Sequence, residues 1–311
     1  MMSFSIVALP ETLGSAKFIG LFPNGSPRWH EVRAQGVGGS EVGTICGLNK
    51  WESAFTLWAK KSGKISDQIP QSEPMEWGSR LESVILEKFV DSHPELEVWG
   101  DAGTWQHSAD EWAHANPDGI YQRQDGAYGI IEIKTAAYPD DWQLLPQGVV
   151  GASSGVPRYY LTQVQHYLRV FGFKEAIVCA LFSGNKYREY LVEADEFQQS
   201  VDRDQVLRFM GSIETGVAPD WDGSTSTYET VRVMNPEITD DEVELGDLAE
   251  QLIYAHAEFG ECEKALNALK SQVLDAMGYA KKGLFDGDVV VTRQAGRNGA
   301  SPFLVIKKGK N

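Results

Sequence analysis

The sequence is short of long apolar runs, of cysteine and of positive charge. It has no run of 18 uninterrupted apolar residues, so no membrane-spanning helix is expected. Its amino terminus, Met1-Met-Ser-Phe-Ser-Ile-Val7, has no basic segment ahead of a long apolar stretch, so no secretory signal is expected. Cysteine is scarce: Cys46, Cys179 and Cys262 are odd in number and far apart. That leaves no zinc-site spacing and fits reduced thiols in a cytoplasmic protein. Positive charge is also short, with 28 Lys and Arg against 44 Asp and Glu and a formal net charge of −16. A uniform polyanion would repel nucleic acid, but a local basic groove can dominate the field where a strand sits. No internal repeat is visible.

What is present suffices for a well-buried core, since 42% of the 311 residues are hydrophobic. Residues 1–27, with Pro10, Pro23 and Pro27, read as irregular. Ser40 and Ser53 are candidate N-caps, for helices over Glu41–Leu48 and Ala54–Lys61. Met75–Ser92 reads as an amphipathic helix with Trp77, Leu81, Ile85 and Phe89 on one stripe, widened by Val84 and Leu86. Short strands are expected at Leu96–Trp99, Thr104–His107 and Trp112–Ala115, and a central one at Tyr128–Lys134. A loop over 138–156 precedes a helix at Arg158–Phe171. Strands at Ala176–Phe182 and Tyr187–Val192, then a helix at Asp195–Ile213, complete a first domain over 1–215. The Gly, Ser, Thr, Asp and Pro of 216–236 read as a linker. Beyond it, 237–311 reads as a long helix from Thr239 to Met277, then two short strand segments in a basic tail. Charge divides sharply here. Residues 236–250 hold seven acids and no base, and 281–311 hold seven Lys or Arg against two Asp.

The stretch with chemical content is 116–134. Asn116-Pro-Asp-Gly119 is a turn that presents Asp118. In the strand after it, residues two apart share a face, so Glu132 and Lys134 point one way and Ile131 and Ile133 the other. Two carboxylates offer hard oxygen ligands suited to Mg²⁺ or Mn²⁺, and a lysine beside them can neutralise phosphate charge. Either fragment alone is an ordinary turn or an ordinary strand edge. Their order and strand-length separation make the pair informative.

Asp118 followed by Glu132-Ile-Lys134 resembles the PD-(D/E)xK nuclease motif. Gly78-Ser-Arg-Leu-Glu82 is similar to the upstream helix of that superfamily, and Gln163-Val-Gln-His-Tyr167 to the QxxxY signature of its RecB- and lambda-type exonucleases. Gly39-Ser-Glu-Val-Gly-Thr-Ile-Cys-Gly47 and Lys50-Trp-Glu-Ser-Ala-Phe-Thr-Leu-Trp58 resemble the opening of the YqaJ viral recombinase family. The similar stretches cover about residues 29–195.

The resemblance implies an α/β fold, with a restriction-endonuclease-like core whose central mixed sheet is flanked by helices, extended by a C-terminal helical arm and small β tail. It implies a Mg²⁺-dependent (Mn²⁺-tolerant) 5′→3′ double-strand DNA exonuclease of a phage or prophage recombination system, with two ions per site. Asp118, Glu132 and the Ile133 carbonyl would hold the metal, with Glu82 aiding the second ion. Lys134 would position the attacking water, and Gln163 and Tyr167 would orient the site. Arg33 and Ser40 match 5′-phosphate-binding positions. Asn116 stands where the family has a serine, and an amide can still donate there. Duplex DNA ends, a single-strand annealing recombinase and two further copies in a ring are the implied partners. An endonuclease or repair nuclease on the same core, or an inactive DNA-end binding module, are the alternatives.

Overall fold

The computed structural model describes residues 8–23, 25–67, 72–138 and 141–307, with Asn298 described by its backbone alone. The first seven residues, Pro139 and Asp140 of the expected loop, and Lys308 and Lys310 of the basic tail lie outside the described residues. The chain divides into two compact units, Met1–Glu237 and Ile238–Asn311.

In the first unit the supposedly irregular start contains two paired strands, β1 (Thr12–Leu13) and β2 (Ala16–Gly20). A two-residue strand has no readable period, and the turn joining them rests on Gly14 at φ +56°. Next come α1 (Pro27–Ala34), β3 (Val37–Gly38) and α2 (Gly39–Ile45). Ser40 is not the cap of α2. Gly38 holds that place, and Ser40 lies in the first turn. The Glu41 carboxylate accepts from the Gly38 amide at 2.9 Å, so the acid caps the helix from inside it. Ser53 does cap α3 (Ala54–Lys61), its hydroxyl accepting from the Thr56 amide at 3.0 Å.

Helix α4 (Glu73–Ser92) buries Ile85, Leu86 and Phe89. Trp77 and Val84, expected on the buried stripe, are 56% and 55% exposed, because both lie well round the helix from the face that Ile85, Leu86 and Phe89 turn inward. Strands β4 (Glu97–Gly100), β5 (Thr104–His107), β6 (Ala113–Ala115) and β8 (Tyr128–Ala136) fall close to expectation, and the turn at Asp118 leads into a further strand, β7 (Gly119–Gln122), that was not expected. The loop that follows carries a short β9 (Val150–Ala152). Helix α5 (Arg158–Phe171) has the expected bounds and stops at Gly172, φ +68°. A hairpin of β10 (Glu175–Phe182) and β11 (Lys186–Glu193) leads to α6 (Glu196–Thr215), capped by Asp195.

The stretch read as a linker, 216–236, holds a helix, α7 (Thr225–Met234). Its polar composition misled because its hydroxyls pair rather than face water. Thr230 Oγ1 lies 2.7 Å from Thr56 Oγ1, and Thr227 Oγ1 donates to Ser53 Oγ at 2.8 Å. Hydrogen bonding satisfies groups that burial would otherwise penalise.

Two sheets result. One has the order β1-β2-β5-β6-β3, the other β4-β7-β8-β10-β11-β9. In the second, β8 is antiparallel to β7 and parallel to β10, and α5 lies between β8 and β10 in the chain. Alternation along β8 serves two cores. Ile131 and Ile133 pack with Ile85, Leu86 and Phe89 of α4, while Ile130 packs with Val164, Leu168 and Phe171 of α5. Each such side chain contributes about 1.5–3 kcal/mol when fully buried. The architecture is mixed α/β, a central mixed sheet between helices.

The second unit comprises α8 (Asp247–Met277) and an antiparallel sheet of β12 (Lys282–Phe285), β13 (Asp288–Gln294) and β14 (Phe303–Ile306). The helix begins eight residues later than expected from Thr239. Asp240, Asp241, Glu242 and Glu244 crowd like charges into that segment with no base, and Gly246 follows.

Candidate active site

Strand β7 stops pairing with β8 at Gly119↔Ile131. Beyond that point the edge of β8 is open on this side, and the Ile133 amide has no strand partner there. Asp118, just before β7, fills the gap: its Oδ2 accepts from the Ile133 amide at 2.6 Å. Amide and carbonyl of one strand residue face the same neighbour, so the Ile133 carbonyl opens to this side too. The parting of β7 and β8 thus exposes a carboxylate and a carbonyl together.

On the α5 face of β8, Glu132 is 2% exposed. Its Oε1 accepts from Lys134 Nζ and, at 2.6 Å, from Gln163 Nε2. Gln163 also donates to the Tyr167 hydroxyl at 3.2 Å, one helical turn along α5. Lys134 Nζ lies 4.8 Å from the centre of the Tyr160 ring. Glu132 Oε2 is buried with no hydrogen-bond partner among the described residues.

These carboxyls crowd one another. Burial, then Asp118, pushes Glu132 up to about 8. Burial, then Asp118, pushes Glu82 of α4 up to about 7. Asp118 is also raised, by burial that outweighs Lys134 and the Ile133 amide. Burial pulls Lys134 down, but Glu132 and Asp118 outweigh it and hold the ammonium charged. The cluster is short of positive charge.

The opposite balance holds around α2. Glu41, 5% exposed, takes Arg33 at 2.7 Å and Lys61 at 3.1 Å. Its burial opposes ionisation, yet Arg33 and Lys61 hold it below the usual carboxylate range. Arg33 is stacked 4.6 Å over the Trp29 ring. The guanidinium is therefore fixed from two sides, with further N–H donors left over.

One cavity of about 1110 Å³ joins the two clusters. Of the ten residues singled out from the sequence, Arg33, Ser40, Glu82, Asn116, Asp118, Ile133 and Tyr167 line it. Glu132, Lys134 and Gln163 do not line it, and Gln163 links Glu132 to the lining residue Tyr167. Asn116 spends its amide group on Thr104 Oγ1, at 2.5 Å. Close packing sets the shape: a Cβ on Gly39 would lie 2.5 Å from Tyr167 Cε1, so only glycine lets the start of α2 reach α5.

Among the described residues, no group of three or more His, Cys, Asp or Glu side chains is gathered into a metal cage. The donor chemistry nevertheless fits a divalent cation. Three carboxyls with raised affinity for protons and one orphaned buried oxygen, Glu132 Oε2, are what a hard cation would satisfy. Sequence reasoning missed Glu41, Lys61 and Trp29 as supports of Arg33. Glu41 was visible only as an acid near a helix start, and no local spacing pairs it with residues on α1 and α3.

Residues 28–174 match the family model of the YqaJ-like viral recombinase domain. This part of the chain is similar to a YqaJ-like domain. All ten candidate residues fall inside it. Protein YqaJ of Bacillus subtilis (strain 168) is 30% identical over 209 residues, which is 66% of this chain and 61% of that protein. The chain thus spans about three fifths of that relative's length. The structure of an alkaline exonuclease (LHK-Exo) from Laribacter hongkongensis matches 62% of this chain and 94% of its own, at 16% identity and a TM-score of 0.46. Its complex with dAMP matches over the same shares at 18% identity and the same TM-score.

Proposed function

We propose that the YqaJ-like domain is a metal-dependent 5′→3′ exonuclease acting at duplex DNA ends, with Mg²⁺ as its ion, in a phage-type recombination system. The observation that carries this reading is the shared cavity, with a fixed guanidinium at one end and a cation-poor carboxyl cluster at the other. Asp118, Glu132 and the Ile133 carbonyl would hold the ion, with Glu82 assisting a second. Bound there, a divalent ion supplies Lewis-acid polarisation of the phosphodiester and a more acidic water. Lys134 keeps its proton and sets positive charge beside the reacting phosphate. Gln163 holds Glu132 in one rotamer, and Tyr167 holds Gln163.

At the other end, Arg33 presents its free N–H groups to a terminal 5′-phosphate, held in place by Glu41 and Trp29. Ser40 adds a hydroxyl in the first turn of α2, where the helix dipole favours an anion. A phosphate seated there fixes how far the strand reaches, which makes cutting measure from the end. Removing one strand would leave a 3′ overhang for an annealing recombinase.

The test is digestion of linear duplexes bearing 5′-phosphate, 5′-hydroxyl or blocked ends, with covalently closed circles as control, in Mg²⁺. Preference for 5′-phosphate and intact circles are expected. Cutting of circles would instead indicate an endonuclease, and tight end binding without product an inactive end-binding module.

A further inference from the structure

Helix α8 carries a second pattern, independent of the nuclease reading. Leu252, Phe259, Leu266 and Val273 recur every seven residues along it. Leu248, Ala255, Cys262, Leu269 and Ala276 form a second series with the same repeat, offset by three and four. The two series make an unbroken seam with a mean period of 3.5, which is the geometry of a coiled coil rather than of a helix lying on a globular core. The seam is bare. No residue of α8 is buried, and Leu252, Phe259 and Leu269 are 65%, 68% and 57% exposed. Thirty-one residues extend about 46 Å at 1.5 Å per residue, long enough for four heptads.

The residues themselves say what covers the seam. In a parallel pair, like positions meet. Phe259 would face Phe259, Ala255 would face Ala255 across a gap, and Glu258 of one helix would lie near Glu263 of the other. An antiparallel pair centred between Phe259 and Cys262 matches large against small at its centre and large apolar residues with each other toward its ends. Phe259 meets Cys262, Leu266 meets Ala255, Leu252 meets Leu269 and Leu248 meets Val273. The flanks then place Glu263 beside His256, and Gln251 beside Gln272, with no like charges opposed. We propose that α8 is a self-association element, pairing antiparallel with α8 of a second copy of this chain. The chain is self-complementary in that arrangement and in no parallel one.

The full-length protein tests this by light-scattering mass. Leu252→Asp with Leu269→Asp is expected to halve the mass of the particle, whatever assembly the first unit makes. Orientation is read by cysteine capture in a chain carrying Cys46→Ala, Cys179→Ala and Cys262→Ala. Leu252→Cys protein mixed with Leu269→Cys protein should form a covalent mixed dimer with diamide, while neither does so alone. Dimer capture within a single variant would mean a parallel pair and overturn the orientation. An unchanged mass together with no capture in any mixture would overturn the pairing itself.

Discussion

The two ends of the cavity solve the same problem of buried charge in opposite ways. At one end a single carboxylate, Glu41, lies between Arg33 and Lys61. At the other, Glu82, Asp118 and Glu132 surround one ammonium, Lys134. The first cluster is complete and its acid is held ionised. The second is incomplete, and its acids are driven toward the neutral form. A neutralised cluster positions a binding group without further help, whereas a cluster with unmet negative charge is poised to take up a cation. Under the proposed function, that difference would give one end a holding role and the other a reacting role.

The largest expected effect is at the reacting end. Lys134→Ala or Asp118→Asn should lower digestion of linear duplex about 1,000-fold, ~4 kcal/mol of barrier, in an assay of released nucleotides. Folding should survive, since the asparagine carbonyl can still accept from the Ile133 amide.

Next comes the stability of the holding end. Glu41→Gln leaves Arg33 and Lys61 without their shared anion and should cost about 3 kcal/mol, read by denaturant unfolding. Digestion would then weaken through loss of Arg33 placement. An unfolding midpoint equal to that of the starting protein would show that the Glu41 network adds nothing.

Mg²⁺ should distinguish the ends directly. At a hundredfold excess over its dissociation constant it should stabilise the starting protein by about 2.7 kcal/mol, and chelation should remove that gain. Asp118→Asn should abolish the shift, and Arg33→Ala should keep it. A shift that persists in Asp118→Asn would put the ion elsewhere.

A smaller effect concerns the end of the strand. Arg33→Ala should reduce the preference for 5′-phosphate over 5′-hydroxyl ends about tenfold, near 1.4 kcal/mol, in competition digests. Equal loss on both substrates would remove the guanidinium from the phosphate site.

The smallest effect is a pH-dependent gap in the chelated protein. Glu132 is raised to about 8, so the folded state takes up a proton that the unfolded chain holds only near the ordinary carboxylate value. Ionised Glu132 therefore weakens the fold above about pH 8, and that penalty fades as pH falls toward 5. Glu132→Gln should melt above the starting protein at pH 9, by about 1 kcal/mol once the lost partner of Lys134 is allowed for, and the gap should close by pH 5. Glu41 runs the other way. Its stabilisation is present above the ordinary carboxylate value and is lost below it.

Much of this was legible in the chain. The bounds of α5, the strands β4, β5, β6 and β8, the N-cap at Ser53 and the opposed faces of β8 follow from periodicity and from turn and cap chemistry. Arg33, Glu82, Asp118 and Tyr167 were singled out from motifs, and the fold carries them to one cavity. The cap of α2 was misplaced because Ser40 has the right chemistry but lies two residues after the cap Gly38, and Glu41 does the capping from within the helix. Helix α7 was missed because its hydroxyls look solvated until Ser53 and Thr56 are brought against them.

What the sequence determined by itself is therefore local. The Asp118 turn, the alternation that separates Glu132 and Lys134 from Ile131 and Ile133, and the seam of α8 depend only on residues a few positions apart. Tertiary structure alone decided which charges meet. It ended the β7–β8 ladder at Gly119↔Ile131 so that Asp118 could take the Ile133 amide, and it put Glu41 between cations from two other helices. The reason is physical: a carboxyl's charge depends on burial and on neighbours brought from far along the chain, and neither is encoded in the spacing around it.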